Sequence, residues 1–264
     1  MHRTHPIYED PRSPAVSIVV PVFNEAANIA RLGEEIRQVL DRRCDFELLF
    51  VDDGSDDGSE AVLAGLAAAD ARVRHLPHRS RCGQSAALRT GVLAASSDQI
   101  VTLDGDGQND PDDIPLLLET VAHADLPRQS LLVIGHRIHR QDHWIKRLAS
   151  RIANTVRQRI LRDHTPDTGC GLKAFSRSTF LSLPYFDHMH RFLPALIRRA
   201  GGDVISVPVM HRPRERGRSK YGILDRLWAG LIDLCGVVWL IRRCPPGYSL
   251  LPSDAKPEPD AERS

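Results

Sequence analysis

The stretch Gln99-Ile-Val-Thr-Leu-Asp-Gly-Asp-Gly-Gln108 decides how the rest of the 264-residue sequence is read. Its β-branched, apolar start predicts a buried strand over 99–103. That strand breaks directly into Asp104-Gly105-Asp106. Two carboxylates two residues apart point the same way while the backbone stays extended. Hard oxygen ligands at that spacing suit Mg2+ or Mn2+ bridging a diphosphate, and Gln108 adds a neutral oxygen on the same side. Gly105 and Gly107 allow a ligand to approach the backbone closely. The plain alternative is an Asp- and Gly-rich surface turn. Its position just past a buried strand weighs against that alternative.

Working outward, the same strand-then-helix grammar repeats. Strands are expected at 16–22, 46–51, 73–76 and 131–135. Helices are expected at 25–41, 57–70, 83–95 and 111–123, the first placing Ile29, Leu32, Ile36, Val39 and Leu40 at helical spacing. Pro111 suits a first helical turn. Alternating strands and helices predict an α/β fold: a Rossmann-like, mostly parallel sheet with helices on both faces. Ligands then bind beyond the carboxyl ends of the strands, where the acidic and Gly-rich segments lie. After 140 the pattern changes to a basic amphipathic helix over 142–161, a short strand at 171–175, a helix at 189–200 and a strand at 203–209. A basic loop at 211–220 and an apolar stretch follow. The expected division is a flexible leader 1–14, a catalytic-type domain 15–222, an apolar helix 223–243 and a disordered tail 244–264.

Composition removes several function classes. Lys and Arg total 35 against 34 Asp and Glu, a formal net charge of +1. Bulk attraction to nucleic acid needs a strongly basic balance, so no nucleic-acid partner is expected. Aromatic residues are only 5%, which disfavours a stacking platform for bases. Five scattered cysteines form no zinc spacing and fit a reducing compartment. Residues 1–14 lack an apolar core, so no secretory signal is expected.

Two further motifs sit at strand ends. In Val51-Asp-Asp-Gly-Ser-Asp-Asp-Gly-Ser59, an early carboxylate is expected to bind a base or ribose, while Ser55 or Asp57 caps the next helix. In Pro21-Val-Phe-Asn-Glu25, Phe23 is placed to flank a base and Glu25 to hydrogen-bond it; the plain reading is a turn with Asn24 as the cap.

The order of these motifs resembles the inverting family 2 glycosyltransferases of GT-A fold. Gly135-His-Arg137, Asp167-Thr-Gly-Cys-Gly-Leu-Lys-Ala-Phe175 and Arg216-Gly-Arg-Ser-Lys220 extend the resemblance toward dolichol-phosphate mannose synthase and the bacterial polyprenyl-phosphate glycosyltransferases. It covers about residues 15–222. The resemblance implies a nucleotide pocket of Pro21, Phe23, Glu25, Val51, Asp53, Asp104 and Gly105. It implies Asp106 and Gln108 as ligands of Mg2+ or Mn2+. Arg137, with Lys146 or Arg147, would contact a lipid-linked acceptor phosphate. Arg214, Arg216 and Lys220 would belong to a basic loop closing over the phosphates. Asp104, Asp106, Arg137, Arg216 and Lys220 form the implied catalytic set.

The implied reaction moves a hexose from a GDP- or UDP-linked sugar to a polyprenyl phosphate. A phosphate monoester is already a nucleophile near neutral pH, and no carboxylate stands out as a dedicated base. The Gln-x-x-Arg-Trp signature of sugar-chain polymerases is absent; Trp228 and Trp239 lie in the apolar segment instead. Two alternatives stay open: a glycan or other hydroxyl acceptor, and a silent nucleotide-sugar-binding subunit.

The apolar run 227–241 is too short to span a bilayer, which takes about 20 residues, and Asp233 in its middle is costly in lipid. Trp228, Trp239 and Arg242-Arg243 suit an interfacial helix; a packing helix is the alternative. The expected location is cytoplasmic and peripheral, on the inner face of the membrane, or with a separate membrane protein as anchor.

Overall fold

The computed structural model describes residues 14–138, 159–161, 163, 165–213 and 223–243. In chain order the elements are β1 (Val16–Val22), α1 (Ala26–Leu40), β2 (Phe46–Asp52), α2 (Ser59–Ala69), β3 (Val73–Pro77), α3 (Gln84–Ala94) and β4 (Gln99–Thr102). They continue with α4 (Ile114–His123), β5 (Leu131–Arg137), β6 (Lys173–Ser176), α5 (Arg177–Ser182), α6 (Leu193–Arg199), β7 (Asp203–Val209) and α7 (Ile223–Arg242). Residues 142–158 of the expected helix, Lys146, Arg147, Arg214, Arg216, Lys220, residues 1–13 of the leader and the tail 244–264 lie outside the described residues; 159–161, at the end of that expected helix, are helical.

The seven strands form one sheet in the order β3-β2-β1-β4-β6-β5-β7. Strands β1, β2, β3 and β4 run parallel, while β6 is antiparallel to both β4 and β5. The chain builds outward from β1 to β3, then returns to lay β4 on the other side of β1. That reversal opens a crevice past the carboxyl ends of β1 and β4, where α/β sheets bind ligands. Strand β5 runs two residues beyond its expected end because β7 pairs with it as far as Arg137 opposite Val209. Arg137 is thereby fixed at a strand terminus.

Alternation along β1 sorts the core into two layers. Ile18, Val20 and Val22 pack with Ile29, Leu32 and Ile36 of α1 and with Ile114 and Leu117 of α4. Val19 faces the opposite way, with Leu49, Val51, Ala87 and Val92. Each fully buried aliphatic side chain contributes about 1.5–3 kcal/mol relative to exposure. The expected helix at 189–200 is broken: a 3-10 turn spans Met189–Arg191 and α6 starts at Leu193. Pro194 sits in the first turn of α6, where its missing N–H costs nothing but bars extension backward.

Helix α7 resolves the puzzle of Asp233. Val237 is fully buried, and Leu234, Val238 and Ile241 pack on the second core layer. Asp233 points the same way, its Oδ2 lying 2.9 Å from His188 Nδ1. Arg199 Nε donates to the Leu240 carbonyl at 3.1 Å. On the opposite side, Leu231, Ile232 and Trp239 are exposed at 51, 61 and 59%. No helix among the described residues is long and apolar enough to cross a membrane.

Candidate active site

The turns after β1 and β2 are zipped together. Asn24, at φ 56°, donates through its backbone N to Ser55 Oγ at 2.9 Å and through Nδ2 to Asp56 Oδ1 at 2.6 Å. Asp56 N returns a bond to Asn24 Oδ1 at 2.9 Å. Asn24 therefore does not cap α1. Glu25 takes the N-cap position, and the first helical amide, Ala26 N, donates to Asp57 Oδ2 at 3.0 Å. The other Asp57 oxygen accepts from Ser59 N and Oγ, at 3.0 and 2.6 Å, which starts α2 behind the left-handed Gly58. One carboxylate thus serves the first turns of two helices.

Asp53 is committed to the 78–83 loop. Its oxygens accept from Cys82 N at 2.7 Å and Gly83 N at 2.8 Å, and His78 Nδ1 lies 2.9 Å away. Asp53, His78 and Cys82 bring three donor atoms within 4.8 Å of one another. They are satisfied as a hydrogen-bonded cluster, since His78 Nε2 also meets Thr90 Oγ1 at 2.9 Å and Cys82 Sγ donates to the Ser80 carbonyl at 3.2 Å. The loop brings the Arg81 guanidinium 4.4 Å from the centre of the Phe23 ring. The 78–83 loop therefore ties Asp53 and Phe23 together, one by hydrogen bonds and the other through Arg81. Glu25 is buried, with Oε2 accepting from Asn28 Nδ2 at 2.7 Å. Val51 is fully buried in the second core layer, so its side chain does not line the crevice.

Past β4 the acidic loop folds tightly. Gly105 packs against the β1 end: a Cβ there would lie 2.9 Å from the Pro21 carbonyl oxygen. Asp104 N donates to Asn109 Oδ1 at 3.0 Å, and Gln108 N to Asp106 Oδ1 at 3.1 Å. Asp104 Oδ1 accepts from Gln84 Nε2, at the start of α3, at 2.8 Å. Burial, and then the neighbouring Asp106 charge, push the Asp104 carboxyl up to about 6, against opposing help from Lys173 and Arg137. A crowded carboxylate pair with excess negative charge suits a divalent cation. Gln108 extends the oxygen set, and its Nε2 lies 3.4 Å from His211 Nε2. His211 reaches this loop through an antiparallel bridge with Asn109.

Facing the acidic loop is Arg137. It donates from Nε to Asp167 Oδ2 at 2.6 Å and from Nη2 to Asp167 Oδ1 at 2.8 Å. Lys173 is buried on β6, with Nζ donating to the Cys170 carbonyl, and desolvation lowers its ammonium's affinity for a proton. His190 pairs through Nδ1 with Ser85 Oγ at 2.8 Å, and burial holds it neutral. Pro21, Phe23, Asp53, Asp104, Gly105, Asp106, Gln108 and Arg137 thus gather at the strand ends. Gln84, Asp167 and Lys173 join them without having been singled out as site residues by sequence; His190 and His211 join them too, histidines that the sequence placed near the site segments without giving them a role. Asp167 and Lys173 stood inside a quoted motif, while Gln84 carried only a weak signal, its place after Gly83 at a helix start.

The family model for glycosyl transferase family 2 matches residues 17–183. An undecaprenyl-phosphate 4-deoxy-4-formamido-L-arabinose transferase of Sodalis glossinidius is 36% identical over 214 residues, covering 79% of this chain and 63% of the relative. A dodecaprenyl-phosphate galacturonate synthase of Rhizobium johnstonii is 32% identical, covering 88% of this chain and 69% of that protein. Among solved structures, glucosyl-3-phosphoglycerate synthase of Mycobacterium tuberculosis with UDP superposes at a TM-score of 0.65. It is 23% identical, and the match covers 89% of this chain and 82% of the neighbour. The same enzyme with Mn2+, UDP and phosphoglyceric acid gives 0.64. These neighbours share the GT-A fold, which this chain realises as a seven-strand, mostly parallel sheet flanked by helices.

Proposed function

This chain belongs to glycosyl transferase family 2, and from that premise we propose that it moves a sugar from a nucleoside diphosphate to a polyprenyl phosphate. The observation that carries the reading is the pairing across the crevice: an acidic pair on one side and a clamped arginine on the other. The remaining carboxylates named there are already engaged, Asp53 with the 78–83 loop, Asp167 with Arg137 and Glu25 with Asn28. A hydroxyl acceptor needs a general base. A phosphate monoester does not, because its oxygen is ionised near neutral pH.

Phe23, Pro21 and Asp53 would border the base, and Asp104 with Gly105 the ribose and diphosphate. Asp106 and Gln108, beside Asp104 and His211, would hold Mg2+ or Mn2+. A bound divalent cation offsets the charge of the departing diphosphate. Arg137 would orient the acceptor phosphate so that its oxygen attacks the anomeric carbon opposite the leaving diphosphate, inverting that centre. Lys146 or Arg147 and the basic residues Arg214, Arg216 and Lys220 are assigned to the phosphates on sequence alone. The polyprenyl acceptor is supported by the relatives' names. UDP, present in the solved neighbours, is the first donor nucleotide to test.

Burial and the Asp106 charge push the Asp104 carboxyl up to about 6, and its protonation removes one of the two negative charges that would attract a cation held at Asp106 and Gln108. Affinity for Mn2+ with UDP should be level above about pH 7 and fall toward tenfold per unit below about pH 6. Calorimetry from about pH 5 to 8 reads this directly; a level profile down to pH 5 contradicts the cation assignment. GDP in place of UDP separates the two donor classes in the same experiment.

The proposed acceptor and the exposed apolar side of α7 support peripheral membrane association. Ile232→Asp with Trp239→Ser should weaken sedimentation with anionic vesicles while leaving UDP affinity within about twofold, since surface changes far from a site are nearly silent. Unchanged sedimentation would assign the attachment to another segment.

A further inference from the structure

The loop 167–171 stands between the two halves of the site and touches both. At one end Thr102 Oγ1, the last residue of β4, donates to the Gly171 carbonyl at 2.7 Å. The absent side chain of Gly171 leaves the space that the Asp104 carboxylate fills. At the other end Asp167 takes Arg137 in a two-point grip, with side-chain exposures of only 5 and 15%. Between them Gly169 lets the guanidinium close in: a Cβ there would lie 3.3 Å from Arg137 Nη2. One short loop therefore fixes Asp104 and Arg137 relative to each other.

We propose that Asp167 is a positioning residue for the acceptor phosphate. It holds the Nε–Nη2 edge of Arg137, so the guanidinium has one orientation before the acceptor arrives and keeps its distance from the acidic pair. This rests on the assignment of Arg137 to the acceptor. A planar guanidinium suits such pre-orientation, since both fork bonds must be satisfied together. The sign of the effect separates position from charge. Removing a carboxylate beside an anion site would, by charge alone, tighten anion binding. Loss of a positioning contact weakens it.

The test compares wild type, Asp167→Asn, Arg137→Ala and the double variant on undecaprenyl phosphate and the donor nucleotide. Asp167→Asn should raise the acceptor KM about tenfold or more, the scale of a misplaced reacting group, and leave the affinity for UDP with Mn2+ unchanged. Asp167→Glu should recover part of the loss. Arg137→Lys, which cannot make the two-point contact, should match Asp167→Asn in acceptor KM, which keeps the proposal testable if the Asn variant folds poorly. In the Arg137→Ala background, Asp167→Asn should add nothing. An acceptor KM that falls or stays level in Asp167→Asn overturns the proposal, as does an equal penalty with and without Arg137. An unchanged acceptor KM in Arg137→Ala itself overturns the Arg137 assignment, a failure read from that single variant alone.

Discussion

Asp106→Ala should abolish transfer, lowering kcat by about a thousandfold or more, as expected when a ligand of a charge-stabilising cation is removed. The fold should survive, because Asp106 lies in a half-exposed turn past β4 and outside both core layers. Its removal also relieves the charge that pushes Asp104 upward, so the variant should be no less stable than wild type. Circular dichroism and thermal melting check the fold; turnover with and without EDTA checks the chemistry. Wild type in EDTA should fall to the level of the variant. A variant retaining more than about a tenth of activity would remove the cation from the account.

The second large effect is expected far more quietly, from one methyl group. In Gly171→Ala the new Cβ overlaps the Asp104 carboxylate carbon and comes close to both its oxygens. Asp104 cannot simply swing away, because Gln84 holds it from α3 and Asp106 repels it. Nor can the loop withdraw freely, since Thr102 binds the Gly171 carbonyl and β6 begins two residues later. The strain should cost about 1–3 kcal/mol of stability. The displaced carboxylate should lower kcat/KM about a hundredfold. Gly65→Ala is the matched control: nothing lies within 4 Å of its Cβ in α2, and it should raise stability by about 0.4–1 kcal/mol with activity unchanged. Full activity in Gly171→Ala would mean that Asp104 is not held where catalysis needs it.

The acidic pair was legible because a continuous apolar, β-branched run and a Gly-rich break coincide at 99–108, a purely local pattern. The mostly parallel sheet was legible for the same reason, element by element. Partnerships were not. Asp52, Asp53, Asp56 and Asp57 look alike in sequence, yet Asp56 and Asp57 bind the turn after β1 and Asp53 binds the 78–83 loop. Asp167 and Arg137 are 30 residues apart, and only the closing of β6 between β4 and β5 brings them together. Asp233 looked like a cost in an apolar helix. A distant histidine, His188, makes it part of the inward face. The antiparallel β6 also escapes a reading built on strand–helix alternation, since that alternation predicts parallel neighbours and β6 pairs antiparallel with both β4 and β5.

Transfer of a sugar to a lipid phosphate is decided by the product. The protein is incubated with labelled UDP-sugar, Mn2+ and undecaprenyl phosphate, beside a reaction offering only hydroxyl acceptors. Label is expected to move into the organic phase, to be released by mild acid, and to be lost with EDTA or with Asp106→Ala. Label that stays in the aqueous phase with undecaprenyl phosphate, or that appears on a hydroxyl acceptor instead, would contradict it.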